Sequence, residues 1–312
     1  MSNNPVLTII TPVYNGEKYI SETINSVVNS NIIYPYEYIV LDDGSKDSTL
    51  SILKGFEKEI KIFFHKNVGE SATVNRGLEI ASGEFILVLS ADDPLLTSDL
   101  INKACKILIE NSSIVAIYPD WKIIDQSGNT LKNKILPEFT EELLIGRCKC
   151  LPGPGTLFRR DKALQVGGRR SSWKFVGDYD FWLRLSRVGK IVRLPGVLAQ
   201  WRENESSTSI SQRDNRMAME RIKVIESFLS ENNISRDLHR KALGNAYYLA
   251  ARLAFFDFKI NGRLLLYNAF KHRRGWPEEA KFYVVLYVLL MPLSSIIFKP
   301  FSKMLIRLIS YK

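Results

Sequence analysis

Histidine and cysteine are scarce, with three of each in 312 residues. His65, His239 and His272 are dispersed, so neither a His-rich metal site nor a Ser-His-Asp triad is expected. Cys148-Lys149-Cys150 lacks the C-x-x-C spacing of zinc and redox sites, and Cys105 makes the number odd. The three read as free thiols in a reducing cytosol. No G-x-G-x-x-G follows the first apolar run and no G-x-x-x-x-G-K-[ST] occurs, which argues against a dinucleotide dehydrogenase and a P-loop enzyme. The start, Met1 to Thr11, has no basic segment and no long apolar stretch, so no secretory leader is expected. Helix-turn-helix and zinc-finger patterns are absent, as are internal repeats.

What is present is an ordinary globular composition, 46% hydrophobic and 24% charged, long enough for one large α/β domain with an appendage. The charge is uneven. Residues 213–312 hold 18 of the 43 Lys and Arg but only 8 of the 33 Asp and Glu, so the whole net charge of +10 lies there. A neutral part, 1–212, is thus joined to a basic part that faces something anionic.

The first half alternates strand and helix signals. Val6–Thr11, Tyr36–Leu41, Ile60–His65 and Phe85–Leu89 are short apolar runs. Between them Ile20, Ile24, Val27 and Val28 recur at helical spacing, and helices are expected around Leu50–Leu53 and Ser71–Ala81. This order predicts a mostly parallel sheet with right-handed crossovers, whose ligands bind beyond the carboxyl ends of the strands. Polar groups cluster there: Tyr14-Asn15, Asp42-Asp43, Asn67–Gly69 and Asp92-Asp93. Further strands are expected at Ile114–Ile124, Gly155–Arg159 and Ile191–Trp201, and a helix at Tyr179–Val188. From residue 213 the pattern turns helical, over roughly 213–231, 236–258 and 261–272. Phe282–Phe298 is uncharged, and the last residues form a basic amphipathic segment with Phe301, Met304, Leu305, Leu308 and Ile309 on one face. Such a tail suits insertion at an anionic membrane surface. The expected domains are 1–212, 213–275 and 276–312.

A nucleoside diphosphate carries concentrated negative charge, and carboxylates can hold a divalent cation that bridges its oxygens. Asp92-Asp93, at the end of a buried strand, is placed for this, although an Asp-Asp-Pro sequence alone suits a solvated turn. Asp42 is the better ligand candidate of its pair, because it directly follows a strand; Asp43 and Ser45 suit the turn. Asp178 and Asp180 open a helix, where Asp is most often a cap. An inverting transfer needs one carboxylate base, and an aspartate distant from the metal site fits. Trp173, Trp182 and Trp201 are candidates for stacking on sugars, with core packing the more common fate.

The runs TPVYNGEKYI (11–20), VLDDGSKDST (40–49), NVGESATVNRGLEIASGE (67–84), LSADD (89–93), GTLFRRDKALQVGG (155–168) and VGDYDFWLRL (176–185) resemble the family-2 glycosyltransferases in their order. The resemblance covers about residues 5–210. It implies a GT-A fold: an α/β, mostly parallel Rossmann-like sheet flanked by helices, here with a C-terminal helical membrane-associating extension. It implies a nucleoside-diphospho-sugar donor, UDP- or dTDP-linked, a divalent cofactor (Mg²⁺ or Mn²⁺) and inversion. By position, Pro12, Tyr14, Glu17, Asp42 and Asn75 would serve the donor, Asp92 its ribose and Asp93 the metal. Asp178 would be the general base, with Asp180 as second choice. Three positions depart from the family pattern: Val74 replaces a frequent Arg, Ser90 a frequent Asp, and Asn204 a frequent His. Asn204 is therefore a further metal-ligand candidate.

These readings converge on a glycosyltransferase acting on a lipid-linked or polysaccharide acceptor at the cytoplasmic face of a membrane, held there peripherally or monotopically. A sugar-phosphate nucleotidyltransferase on a similar sheet is the alternative within the fold. A basic nucleic-acid-binding protein is the alternative outside it, disfavoured because aromatics are not interleaved with the basic residues.

Overall fold

The computed structural model describes residues 4–203, 215–254 and 262–272. The expected β-α alternation is present: β1 (Leu7–Val13), α1 (Ile20–Val28), β2 (Tyr36–Asp42), α2 (Thr49–Lys54), β3 (Lys61–Phe64), α3 (Glu70–Ile80), β4 (Phe85–Val88) and α4 (Ser98–Glu110). Then follow β5 (Ile114–Ile124), β6 (Thr130–Lys134), a π-type turn at Glu142–Gly146, β7 (Leu157–Arg159), α5 (Arg160–Gln165), α6 (Gly177–Leu185) and β8 (Lys190–Arg202). One eight-stranded sheet runs β3-β2-β1-β4-β7-β5-β6, with β8 on β5. Strands β1 to β4 pair in parallel, β7 is antiparallel to both its neighbours, and β8 is parallel to β5.

The apolar run of β4, and β1 with its buried Thr8 and Thr11, reflect burial on both faces. One face carries Leu7, Ile9, Tyr38, Val40, Phe85 and Leu87, which pack with Ile20, Ile24 and Val27 of α1, Leu53 of α2 and Leu100, Ile101, Ala104 and Leu108 of α4. On the other face α3 comes so close that a Cβ on Gly77 would sit 2.7 Å from Ile10 Cγ2, so only glycine permits that approach.

Three elements escaped the sequence reading. The segment α4 has its apolar residues at helical spacing and a cap, Thr97 Oγ1 accepting from Asp99 N at 3.2 Å. Strand β6 reads TLKNK and is nearly all exposed, so no alternation marks it; pairing with β5 makes it a strand. Helix α5 is a six-residue segment with only Ala163 buried.

The chain divides into two compact units, Met1–Leu144 with Lys149–Ser211, and Ile145–Cys148 with Gln212–Lys312. In the second, α8 (Arg236–Ala254) packs on both α7 (Asn215–Glu231) and α9 (Gly262–His272). Its core contains Ile222, Ile225, Phe228, Ala242, Ala246, Ala250 and Leu265. The short segment Ile145–Cys148 is pinned there by Asn245 Nδ2 donating to Gly146 O and by the Cys148 thiol on Ala242 O (3.5 Å). Among the described residues no helix is long and apolar enough to cross a membrane. The apolar and amphipathic tail, 276–312, lies outside the described residues.

Candidate active site

Strands β1 and β2 end level, with Val13 opposite Asp42, and Asp43 N donates to Val13 O at 2.8 Å. The loops that follow are laced together. Asn15 N donates to Ser45 Oγ (2.9 Å), Lys46 N to Asn15 Oδ1 (2.8 Å), Glu17 N to Asp47 Oδ2 (3.1 Å) and Ser48 N to Glu17 Oε2 (2.9 Å). Asn15 accepts the left-handed conformation (φ 51°) that this path requires. Glu17 thus holds the loop with its carboxylate, whereas Tyr14 stays 47% exposed at the strand edge and Pro12 is partly buried.

The two aspartates after β2 divide their tasks. Asp42 gives Oδ1 to Ser45 N (2.8 Å); among the described residues Oδ2 has no protein hydrogen-bond partner. Asp43 is a brace, accepting from Val68 N (2.7 Å) and Gly69 N (2.9 Å), with His65 Nδ1 3.3 Å away. Gly44 makes that close turn possible, since φ is +76° and a Cβ there would lie 2.8 Å from Asn67 N.

The acidic pair follows β4. Asp93 N donates to Ser90 O (3.1 Å), closing a turn. Asp92 is partly exposed, and Asp93 is only 4% exposed. Asp93 Oδ1 accepts from Arg202 N at 2.7 Å, and Ser90 also bonds its carboxylate through the side chain. Burial, and then the neighbouring Asp92 charge, raise the Asp93 carboxyl above the ordinary aspartate range. The turn adjoins the first loop: Thr23 Oγ1 donates to Ala91 O (2.9 Å), and a Cβ on Gly16 would lie 3.7 Å from Ala91 Cβ.

Asp178 and Asp180 sit in the first turn of α6 but in opposite environments. Asp178 is exposed, and its Oδ1 accepts from Tyr179 N at 2.7 Å. Asp180 is 1% exposed and is no cap, contrary to expectation. It pairs with Arg184 (Oδ2 to Nε 3.0 Å and to Nη2 2.5 Å), and Arg170 Nη1 lies 3.6 Å away. Arg184 also donates to Val166 O and Gly168 O, so this ion pair fixes the glycine turn before the helix. The start of α6 abuts that of α3, because a Cβ on Gly177 would lie 3.2 Å from Ser71 Oγ. The strand-end loops and the α6 N-terminus are therefore linked by contact through Asp43, Gly69 and Ser71.

Asn75 uses both ends of its amide on Arg169, donating to its carbonyl (2.7 Å) and accepting from its N–H (2.8 Å). Val74, where many relatives carry Arg, is buried in the core. Trp182 is 5% exposed and packs edge-to-face on Phe158 and Phe181, which makes it core and not a sugar platform. Trp201 is partly buried and lies edge-to-face with Trp121, ring centroids 6.2 Å apart. Trp173 keeps its indole N–H buried, without a hydrogen-bond partner among the described residues. Asn204 lies outside the described residues. The residue that sequence reasoning missed is Arg202, which touches the backbone of both Asp92 and Asp93's side chain; a lone Arg after a strand carries no signal of that role.

The sequence pattern of the family described as "Glycosyl transferase family 2" matches residues 8–165, about half of the chain. The chain belongs to glycosyl transferase family 2. Among the relatives of this family-2 enzyme, an uncharacterized glycosyltransferase of Rickettsia typhi is 28% identical over 281 residues, covering 85% of this chain and 83% of that protein. Chondroitin synthase of Escherichia coli is 27% identical over 236 residues, 74% of this chain but 34% of that protein. Residues 1–349 of S. aureus TarS, in complex with UDP-GlcNAc, superpose with a TM-score of 0.65 at 19% identity, covering 84% of this chain and 79% of that one. This likeness shows the expected GT-A fold, and family membership makes the chain a glycosyltransferase.

Proposed function

We propose that this glycosyltransferase moves a sugar, with inversion, from a UDP- or dTDP-sugar to a hydroxyl of a lipid-linked or polysaccharide acceptor in cell-surface glycan synthesis. The observation that carries this reading is the division of labour among the aspartates. Asp43, Asp93 and Asp180 are each held by buried bonds, whereas Asp92 is partly exposed and Asp178 exposed, and Asp42, itself only 2% exposed, closes the β2 turn through Oδ1 alone among the described residues. The UDP-GlcNAc bound by TarS and the polysaccharide product named for chondroitin synthase are in keeping with it.

Asp42 and Tyr14 are assigned to the nucleoside, at the ends of β2 and β1. Asp92 and Asp93 carry hard carboxylate oxygens that would fit Mg²⁺ or Mn²⁺, and a cation there would offset the burial and the neighbouring Asp92 charge that raise the Asp93 carboxyl. The more accessible Asp92 faces the metal or the ribose, while Asp93 holds the turn and lends charge. Asp92 and Asp93 would hold the cation, with Asn204 as a further candidate; among the described residues no three His, Cys, Asp or Glu side chains form a metal cluster. When bound, the cation supplies Lewis-acid stabilisation of the departing diphosphate. Asp178 takes the proton of the acceptor hydroxyl, whose oxygen forms the new bond to the anomeric carbon as the bond to the diphosphate breaks.

For location, the basic last third and the apolar run Phe282–Phe298 support a peripheral or monotopic place at the cytoplasmic membrane face. The full chain should float with vesicles rich in anionic lipid; equal flotation with neutral vesicles would remove the electrostatic part of this reading. The donor reading is tested by thermal shift with UDP-, dTDP- and GDP-sugars, with and without Mn²⁺. A Mn²⁺-dependent shift with a uridine or thymidine donor, and release of nucleoside diphosphate and not pyrophosphate on turnover, is expected. A shift with GDP-sugars alone would overturn the donor assignment.

A further inference from the structure

Arg202, the last residue of β8, is 1% exposed, and each of its nitrogens donates a hydrogen bond. Its N–H donates to Asp93 Oδ1 (2.7 Å), and Nε to Asp92 O (2.9 Å). Nη2 reaches Glu22 Oε2 on α1 (2.7 Å), and Nη1 reaches Gln126 O (3.0 Å) and Asp125 O (3.3 Å) in the turn between β5 and β6. The guanidinium carbon lies 4.6 Å from the centre of the Tyr19 ring. One side chain therefore joins the acidic turn, the start of α1, and the β5–β6 turn.

A guanidinium is costly to bury, and its partner Glu22 is 52% exposed, which makes the pair a weak reason for burying it on stability grounds. Its planar fork serves three directions at once, which the point charge of a lysine cannot. The directions end at the acidic turn, at the first turn of α1 and at the β5–β6 turn. The guanidinium charge also pairs with the carboxylate of Glu22.

We infer that Arg202 is a positioning residue of the donor site: it holds the Asp92–Asp93 turn against α1 and the β5–β6 turn, so that the acidic pair is preorganised for a cation-bound nucleoside diphosphate. The inference rests on the donor reading above and adds to it the residue that sets the carboxylates. Arg202 touches neither donor nor acceptor; it acts through the turn.

The test uses Arg202→Lys, which keeps the backbone bond to Asp93, and Glu22→Gln, a milder change at a half-exposed side chain. UDP binding is titrated calorimetrically at several Mn²⁺ concentrations, alongside denaturant stability and amide hydrogen exchange of residues 90–94 and 125–128. Loss of an outer-shell partner typically weakens a metal site about 10- to 100-fold, and Arg202→Lys should weaken Mn²⁺-dependent UDP binding to that extent. Glu22→Gln should weaken it less and leave stability unchanged. Exchange of both segments should quicken in Arg202→Lys. A merely structural role predicts lower stability with unchanged UDP affinity of the folded protein, and that result overturns the inference. If the wild-type protein binds neither UDP nor dTDP with Mn²⁺, the donor reading fails, and unchanged exchange at 90–94 then overturns the positioning role separately.

Discussion

The backbone N–H of Arg202 lies 2.7 Å from Oδ1 of Asp93, and this bond joins residues 109 positions apart at the edge of the sheet. It gives the second aspartate of the acidic pair an inward partner and leaves the first nearer to solvent. The two should therefore respond differently to substitution.

Asp93→Ala leaves a buried N–H without its acceptor, which should cost about 1–3 kcal/mol in urea denaturation. Asp93→Asn retains an acceptor oxygen and should cost less. Asp92→Ala should change stability by under about 1 kcal/mol while abolishing Mn²⁺-dependent UDP binding. Equal destabilisation by the two alanines would contradict the division described.

Asp178→Asn should bind donor normally and stop transfer, because an amide cannot take the acceptor proton. Asp180→Asn strips a buried Arg184 of its counter-charge and should cost about 3–5 kcal/mol. Full turnover by Asp178→Asn would remove it from the base role and bring the search to other carboxylates.

Trp182→Ala should cost about 3–5 kcal/mol, as expected for an aromatic side chain lost from a core. A stable Trp182→Ala protein with weakened sugar binding would return Trp182 to the acceptor site.

Glu37, at the start of β2, supplies a pH test far from the chemistry. Burial alone raises its carboxyl, but bonds from Lys61 (2.6 Å), Ser82 and Thr8 outweigh this and bring it down to about 2. A depressed carboxyl stabilises the fold fully above its unfolded value near 4.5 and loses that contribution as pH falls toward 2. Glu37→Gln should therefore lower the Tm at pH 7 by an amount that shrinks as pH falls from about 4.5 to 2.5. A Tm difference independent of pH would show that the charge of Glu37 contributes nothing.

The sheet was legible because parallel strands buried on both faces are rich in apolar and β-branched residues, as in Leu7–Val13, Tyr36–Asp42 and Phe85–Val88. The helices of the basic part were legible for the same local reason, a 3.6-residue apolar period. Strand β6 was hidden, because an exposed TLKNK owes its conformation to its neighbour β5 and to nothing in its own pattern.

The sequence by itself determined which residues stand at the strand ends, since chain order and the crossover rule put Tyr14, Asp42 and Asp92-Asp93 on one edge. It could not say which carboxylates are committed to buried bonds. Adjacent residues have almost the same local signal, and the choice depends on partners far along the chain: Val68 and Gly69 for Asp43, Arg184 and Arg170 for Asp180, Arg202 for Asp93. Burial and hydrogen bonding are set by these long-range contacts, and for that reason only the tertiary structure showed that Asp43, Asp93 and Asp180 are held by buried bonds.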